Sequence, residues 1–496
     1  MISRLPSVTL TVGDLLGWDT LTLVEAKNQL IRCLTFTDTT SLVIGTIIGT
    51  GIFLKTATMA QQVGTPLLVL AAWILAGFLS LAGALTYAEL GAMFPEAGGE
   101  YVYLRTAYGD RVAFLYGWTV VSIEATGSIA ALSLAFATFL SALLPIGTVW
   151  IQYAFRIFGH EFSWNFGMQQ LVAVAVILCF SLINCLGVAV GGRVQLAFTV
   201  ARLAGIAVVV GGVFFFSERA TSAHLATGSA TLQWGGLKAF RAAMLAALWA
   251  YNGWNNMPMV AGEVRDPGRN VPRALIIGML VVLLAYGLAN LAYLYALPFN
   301  EVASSNSTGY RNAPPVATKA VQTFLGTSGT KFVAVVFLLS TMGGLHSVTL
   351  VKARIPYAMA CDGLFFQRIG CVTKSTHVPV WAIGINAVWA IVLAVSGTFD
   401  QLTDLVIFAA WIFYGLTAAS VFVLRRKMPD VPRPYQTLGY PVVPLIFVLV
   451  TLWLVINTLQ TSPFESAVGL VLIALGLPVC LYFQRNRGRT ASRGAL

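Results

Sequence analysis

Charged residues are scarce in this sequence: only 10 % of its 496 residues are Asp, Glu, Lys or Arg, against about a quarter in soluble domains. Histidine is scarcer still, with four residues in the chain. Hydrophobic residues make up 57 % of the chain. A single soluble core could not bury so many apolar side chains, whereas twelve membrane spans of about 21 residues would use them. The composition therefore excludes a soluble enzyme.

The chain has six cysteines, and each is predicted to lie inside a membrane span or near its cytosolic end. We therefore expect no external disulfide. Cys361 and Cys371 are accompanied only by His377, so the ligand spacing favours buried or reduced thiols over a metal site. No metal and no cofactor are expected.

Twelve apolar runs predict twelve transmembrane helices, that is, an all-α membrane protein. They fall at 38–60, 66–93, 112–143, 168–189, 194–216, 238–262, 273–298, 328–359, 377–397, 400–425, 440–460 and 464–484. Residues 1–37 lack the basic-then-apolar pattern of a signal peptide and are expected to form a cytosolic arm. Residues 485–496 are expected to form a basic cytosolic tail.

The distribution of basic residues predicts the orientation. With the amino terminus in the cytosol, 21 of the 30 Lys and Arg, including Lys352 and Arg354, fall in cytosolic segments; eight fall outside and Arg202 stays in the membrane. This excess follows the positive-inside rule, so both termini are predicted to be cytosolic. The net charge of +11 is thereby attributed to topology and not to nucleic-acid binding.

Two of the runs contain residues that interrupt helices. The first reads Gly-Thr-Ile-Ile-Gly-Thr-Gly-Ile-Phe over 45–53, and the sixth reads Leu-Trp-Ala-Tyr-Asn-Gly-Trp-Asn-Asn-Met-Pro over 248–258. Unwound backbone is tolerated in a membrane only where it lines a cavity, and breaks at corresponding places in two halves are typical of inverted-repeat transporters. Small-residue helix packing is the alternative for either run taken alone.

The two breaks predict a site for a zwitterion. Free N–H groups at Thr50, Gly51 and Ile52 lie at a positive helix end, which suits a carboxylate. Free carbonyls at Ile47, Trp249 and Ala250 suit an ammonium group. Further candidates for the pocket and its gate are Thr46, Trp249, Tyr251, Asn252, Gly253 and Asn255.

Aromatic rings beside a small polar site can close over a ligand, so Trp249 is the predicted gate, although packing is the common role of such rings. Asn255 is expected either to donate to the substrate or to cap freed backbone.

Ionisable residues inside a membrane are functional candidates. Arg202 lies about 12 Å into the fifth span, where it would either extend to the cytosol or dock against the unwound first helix. Glu124 has three open interpretations: a proton carrier, a partner of Arg202, or an ion pair without a transport role. His346 is expected to be a packing histidine or, alternatively, a proton relay.

At these residues the chain resembles the amino acid–polyamine–organocation superfamily, and within it the L-type amino acid transporters. The resemblance runs over 36–483. The matching stretches are 45–53, 87–91, 98–103, 115–118, 249–255, 262–273, 411–416 and 433–435, the last reading Arg-Pro-Tyr.

The resemblance implies a LeuT-like fold with a 5+5 inverted repeat, here 38–216 and 238–425, plus two C-terminal helices within 440–484. It implies amino acid binding at both breaks, with Thr50 and Gly51 on the carboxylate and Ile47 and the Trp249 region on the amine. It also implies that Arg202 occupies the place that sodium has in sodium-driven relatives. Residues 144–167 contain no cysteine, so the disulfide-linked heavy chain of animal members is not expected.

We therefore predict a transporter and not an enzyme: a multi-pass carrier of the cell membrane that exchanges neutral L-amino acids by alternating access without sodium. Its partners are then an amino acid substrate and the lipid bilayer. One alternative is a proton-coupled symporter acting through Glu124 or His346, with amino acids, cationic amino acids or polyamines as substrates. Another, from a different class, is an amino acid sensor or a membrane-embedded enzyme.

Overall fold

The computed structural model describes residues 30–493, except 158–159, 229–234, 308, 311–312, 397–398 and 462. The predicted arm at 1–37 therefore lies outside the described residues up to residue 29, and the tail at 485–496 does so for its last three residues. The described chain is almost entirely helical.

The first half contains eight α-helices and one β-hairpin. The helices are α1 Phe36–Ile47, α2 Gly51–Val63, α3 Pro66–Met93, α4 Glu100–Tyr108, α5 Asp110–Thr119, α6 Ala125–Leu140, α7 Met168–Cys185 and α8 Val188–Phe216. A π-helical turn, Val120–Glu124, joins α5 to α6. β1 Val149–Ile157 and β2 His160–Gly167 pair antiparallel between α6 and α7.

The second half begins after a short helix, α9 Ala223–Ala226. It contains α10 Gly236–Ala250, a 3₁₀ segment Trp254–Glu263, α11 Pro267–Ala296, α12 Phe299–Ala303, α13 Val316–Leu325, α14 Ser328–Lys352, α15 Arg354–Cys361, a 3₁₀ turn Gln367–Gly370, α16 Val380–Ser396, α17 Phe399–Lys427, α18 Val442–Thr461, α19 Pro463–Ala474 and α20 Gly476–Arg493.

Nine helices in the described part of the chain are long and apolar enough to cross a membrane. They match nine of the predicted runs to within a few residues. The exceptions are the helices at the fifth and seventh predicted runs, which each start six residues earlier than predicted. The other three predicted runs coincide with the broken α10 and its 3₁₀ segment, with α16 and with α17. The chain is therefore a multi-pass membrane protein, and the count of twelve spans stays a prediction.

Helices from both halves enclose the first span, which consists of α1 and α2. Helix α11 packs along α3 and α1, α10 packs on α2 and α3, and α14 packs on α6, α8 and α1. Every backbone polar group in a membrane needs an internal partner, so these contacts set where an interruption of the helix can be tolerated. They bring both breaks to the centre of the bundle.

Lys352 and Arg354, which the charge distribution assigns to a cytosolic segment, lie inside the protein and not on its surface. Their side chains are only 2 % and 1 % exposed, because α14 continues through Lys352 and turns directly into α15 inside the protein. Each is paired with a buried carboxylate, Lys352 with Glu124 and Arg354 with Glu263. A buried charge is tolerated only when it is paired and hydrogen-bonded in this way.

Candidate functional site

The first span is unwound at Ile48–Thr50. Helix α1 ends at Ile47, Ile48 adopts an extended backbone, and α2 starts at Gly51. The first N–H groups of a helix have no carbonyl one turn earlier, which leaves those of Gly51 and Ile52 at the positive end of α2. The N–H of Phe53 already donates to the Thr50 carbonyl over 3.2 Å.

The sixth span is interrupted immediately after Ala250, where α10 ends. Gly253 has a φ of +121°, a backbone conformation that only glycine adopts readily. The chain then continues as the 3₁₀ segment from Trp254, which contains Pro258. The two interruptions that the sequence predicts are thus both present.

The two breaks lie against each other. A Cβ atom on Gly51 would lie 2.7 Å from the Ala250 Cβ, and one on Gly253 would overlap the Thr46 carbonyl. The Tyr286 hydroxyl lies 3.1 Å from the carbonyl oxygens of both Ile47 and Ala250. Each carbonyl has a second lone pair, so both keep the capacity to accept from a ligand.

A cavity of about 140 Å³ lies at this contact. Nine of the residues predicted for the site line it: Thr46, Ile47, Thr50, Gly51, Glu124, Trp249, Ala250, Asn252 and Gly253. Its other lining residues come from the first, third, sixth, eighth and tenth spans: Gly49, Ser128, Ala131, Leu132, Asn256, Val348, Lys352 and Tyr414. The volume is well below the roughly 300–1,000 Å³ of pockets for drug-sized ligands and suits a molecule of a few heavy atoms.

Three predicted site residues on the broken helices do not line the cavity. Ile52 is fully buried in α2. Tyr251 is packed edge-on against Trp73 and tilted against Tyr286. Asn255 donates its Nδ2 to Oε1 of Glu100 over 2.6 Å, which is neither of the two roles that the sequence analysis left open.

Arg202 is completely buried against the first break. Its Nη1 donates to the carbonyl oxygens of Gly45 at 2.9 Å and Ile48 at 2.6 Å, and its Nε donates to Phe198. Ser340 on α14 adds a hydroxyl that donates to the Ile48 and Gly49 carbonyls. The guanidinium group therefore satisfies main-chain oxygens that the interruption leaves without helical partners.

His346 lies away from the cavity with both ring nitrogens engaged. Nε2 is 2.8 Å from the Gly191 carbonyl oxygen, so it must be the donor, and Nδ1 then accepts from Nδ2 of Asn184 at 3.2 Å. These two contacts fix one neutral tautomer. They favour a packing role over a proton relay.

Glu124 lies at the end of the π-helical turn and is paired with Lys352, not with Arg202. Lys352 Nζ is 2.5 Å from Glu124 Oε1, and the Tyr414 hydroxyl is 3.1 Å from the same oxygen. Tyr414 also lies 3.1 Å from Oδ1 of Asn252 in the second break. The ion pair is thus connected to the interrupted sixth span through one hydroxyl.

Sequence reasoning missed four residues of this region: Glu100, Tyr286, Lys352 and Tyr414. Glu100 is fully buried beneath the site, and its burial, together with the charge of Glu124, raises the pKa of its carboxyl group. Lys352 could have been found from the sequence, because it lies within 328–359, which is predicted to be a transmembrane helix, and a charged residue inside a membrane span is a functional candidate. The two tyrosines carry no such signal.

Trp249 lines the cavity and is half-buried, with Lys55 Nζ 4.3 Å from its ring centroid. A larger cavity of about 700 Å³ starts at Thr50, which lines both cavities, and extends to Thr148, Asn165 and Pro314 in the connecting segments. The two cavities therefore lie on either side of Thr50, the larger one toward the β-hairpin.

Two touching helix interruptions around a small cavity, inside a bundle of apolar helices, are the arrangement of a membrane transporter for a small polar molecule. The family model described as "Amino acid permease" matches residues 34–476. The chain therefore belongs to this family of amino acid transporters, which confirms the predicted resemblance.

Known relatives cover most of the chain. The Serine/threonine exchanger SteT of Bacillus subtilis is 30 % identical over 442 residues, 88 % of this chain and 94 % of its own length. The b(0,+)-type amino acid transporter 1 of Mus musculus is 28 % identical over 88 % of this chain and 84 % of its own. The Large neutral amino acids transporter small subunit 2 of Homo sapiens is 29 % identical over 88 % of this chain and 78 % of its own length.

Proposed function

We propose that this protein exchanges neutral L-amino acids across the cell membrane by alternating access and without sodium. The observation that carries the proposal is the contact between the two breaks around a cavity of about 140 Å³. The names of the relatives, which include an exchanger and large neutral amino acid transporters, support the same substrate class and mode of action.

In this proposal the substrate's carboxylate binds at the start of α2, at Thr50 and Gly51, which line the cavity, with the main-chain N–H of Ile52 at the same helix end. Its ammonium group binds the carbonyl oxygens of Ile47, Trp249 and Ala250. The positive helix end suits an anion, and the carbonyls suit a donor with three N–H groups. Trp249, which lines the cavity, serves as the gate.

Independence of sodium is supported by Arg202. Its guanidinium group occupies the space beside the first break and already bonds to two of the carbonyls there. A sodium ion needs several such oxygens as ligands, and a fixed cation in contact with them would repel it. The charge of Arg202 would then stabilise the break in every step of the cycle.

Exchange requires that the empty carrier changes between its two orientations slowly, while the loaded carrier does so quickly. The larger cavity next to Thr50 supports a state that opens toward the side of the hairpin. On the opposite side, Arg354 holds Glu263 through two hydrogen bonds of 3.0 and 2.8 Å. Opening of that side would follow closure around the substrate.

The proposal includes the twelve-span arrangement with repeats at 38–216 and 238–425, two further helices at 440–484 and both termini in the cytosol. No disulfide-linked heavy chain is proposed, because the segment 144–167 lacks cysteine. No catalytic activity is proposed.

The test is counterflow into liposomes that contain the purified protein. Vesicles are loaded with one unlabelled amino acid at high concentration, and the entry of labelled amino acids from a panel of neutral, cationic and acidic members is measured. Each assay is run with sodium or with choline, and with or without a pH gradient. Protein-free liposomes are the control.

We expect entry of neutral L-amino acids that depends on the internal amino acid and is unchanged by sodium. Entry that needs sodium would contradict the role given to Arg202. Entry that a pH gradient drives without internal substrate would replace exchange by proton-coupled symport. No entry of any amino acid would overturn the proposed function.

A further inference from the structure

The small cavity is also lined by side chains from other helices than the two broken ones. The proposed binding of the substrate's carboxylate and ammonium groups to the main chain does not involve these side chains. The third span contributes Glu124 and Ser128, the eighth Lys352, and the tenth Tyr414. A bound amino acid would point its side chain at the wall that these residues form. The wall therefore decides which side chains are accepted.

The ion pair on this wall is almost fully buried, with 4 % of the Glu124 side chain and 2 % of the Lys352 side chain exposed. The carboxylate's hydrogen bonds to the described residues, from Lys352 Nζ and the Tyr414 hydroxyl, both end on Oε1. A carboxylate has about four acceptor positions over two oxygens. Oε2 is thus left as an acceptor beside the cavity.

The wall is neutral as a whole, because the two charges cancel. A charged substrate side chain would have to compete with one member of the pair for the other, and breaking a buried pair is strongly unfavourable. A neutral side chain leaves the pair intact. If that side chain carries a hydroxyl group, it gains a charge-assisted hydrogen bond to Oε2.

The geometry points to Glu124 and Lys352 as the side-chain subsite of the transporter, with small hydroxyl-bearing neutral amino acids as its preferred substrate class. The substrate hydroxyl donates to Glu124 Oε2, and Lys352 holds the carboxylate in place and cancels its charge. This inference rests on the proposed function. The cavity of about 140 Å³ supplies the limit on size.

Tyr414 gives the subsite a direct contact with the sixth span. Its hydroxyl lies 3.1 Å from both Glu124 Oε1 and Asn252 Oδ1, and it has one proton to share between them. Glu124 bound to a substrate hydroxyl is a weaker acceptor for Tyr414, which then favours Asn252. Recognition of the substrate side chain is thus linked to the break by one intermediate residue.

The test compares threonine with valine, which has nearly the same shape but no hydroxyl group. Both compete for labelled substrate in the counterflow assay, with the full-length protein in liposomes. We expect threonine to compete at a concentration lower by at least about tenfold, because a site with a buried acceptor penalises a ligand that cannot donate to it.

Three variants test the pair. In Glu124→Met/Lys352→Met both charges are removed together, so no charge is left unpaired. Whatever the overall rate of transport, threonine and valine should compete in the double variant at concentrations within about twofold of each other, since the acceptor is gone. The matched control is Glu301→Gln/Arg219→Met, an ion pair whose side chains are 40 % and 52 % exposed outside the site, and it should retain the preference.

The single variants leave one charge facing the cavity. Lys352→Met should admit short cationic amino acids such as 2,4-diaminobutyrate, and Glu124→Gln should admit aspartate, because each substrate restores the missing partner. Folding of every variant is verified by its elution from a size-exclusion column and by its unfolding temperature in detergent.

The outcomes separate the two proposals. A wild type that transports amino acids with equal competition by threonine and valine overturns the subsite, and so does a double variant that keeps the preference. Should the double variant misfold, the two single variants decide: a change in charge selectivity supports the subsite, and unchanged selectivity overturns it. A wild type that transports no amino acid overturns the proposed function itself.

Discussion

Nη1 of Arg202 lies 2.6 Å from the carbonyl oxygen of Ile48, the residue at which the first helix loses its regular hydrogen bonds. Because a membrane offers no water to an unwound backbone, a donor at this point is a condition for the break to exist. Ser340 provides a second donor to the same carbonyl, but the Gly45 carbonyl receives its side-chain bond from Arg202.

Replacing Arg202 should therefore damage both folding and transport. We expect Arg202→Met to lower the free energy of unfolding by roughly 1–3 kcal/mol, the cost of a buried polar group without a partner, and to abolish counterflow. Arg202→Lys keeps a charge but not the forked geometry, so it should be less damaging. Unfolding temperatures in detergent and counterflow rates are the measurements.

The control for this experiment is Arg219→Met, an arginine whose side chain is 52 % exposed. It should leave both quantities unchanged. If Arg202→Met transports and unfolds like the wild type, the first break is held open by something other than the guanidinium group.

Forcing the two breaks apart should weaken substrate binding. In Gly51→Val the new Cβ would lie 2.7 Å from Ala250 Cβ and 2.9 Å from its Cα, so α10 must move away from α2. Displacing a binding group by about 1 Å can cost 100-fold, and we expect apparent affinity to fall by about that much. Competition in the counterflow assay measures it.

Gly384→Val is the matched control, because Gly384 lies in the apolar helix α16 with nothing within 4 Å of its added Cβ. It should keep wild-type affinity. Equal affinity in the Gly51 variant would exclude the start of α2 as the carboxylate site.

The Tyr286 hydroxyl should stabilise the folded protein, because it donates to carbonyl groups at the two breaks. Tyr286→Phe removes the donor that lies near the Ile47 and Ala250 carbonyls. We expect a loss of about 0.5–1.5 kcal/mol, the usual net value of one hydrogen bond. Tyr103→Phe is the comparison, since its buried hydroxyl has no partner among the described residues and its removal should be neutral or stabilising. A larger loss in the Tyr103 variant would reverse this assignment.

The buried carboxyl of Glu100 should make stability depend on pH. Burial is the larger cause and the charge of Glu124 the second cause of its raised pKa. A carboxyl whose pKa is higher in the folded than in the unfolded protein binds more protons when folded, so stability is fully present below the unfolded pKa and falls as pH rises. We therefore expect the unfolding temperature to decrease as the pH increases above about 4.5.

Glu100→Gln should remove this part of the pH dependence, because the amide cannot lose a proton. Glu218→Gln, which changes an exposed carboxylate, should leave the slope as it is in the wild type. A slope that is the same in the wild type and the Glu100 variant would assign the pH dependence to another group.

The breaks could be predicted from sequence because their cause is local. Gly49, Gly51, Gly253 and Pro258 weaken a helix wherever they occur, and an apolar surrounding marks them as membrane-embedded. The depth of Arg202 followed from counting residues along a span. These features need no knowledge of what packs against them.

The partner of Glu124 could not be predicted in the same way. Lys352 is separated from Glu124 by 228 residues, and it lies at the end of its helix close to another basic residue, Arg354, as a cytosolic lysine would. Only the packing of α14 against α6 shows that it points inward. Likewise, Asn255 was placed beside the correct break, but its contact with Glu100 depends on how α4 folds under the sixth span.

The π-helical turn at Val120–Glu124 has a consequence for how tolerant the third span is of insertions and deletions. One additional residue is accommodated in that turn, and each residue rotates a helix by about 100°. Loss of a single residue such as Val121 would convert the turn to regular α-helix and leave α5 and α6 in register. A one-residue deletion is thus tolerated better in this turn than elsewhere in the span, where it would rotate the rest of the helix by about 100°.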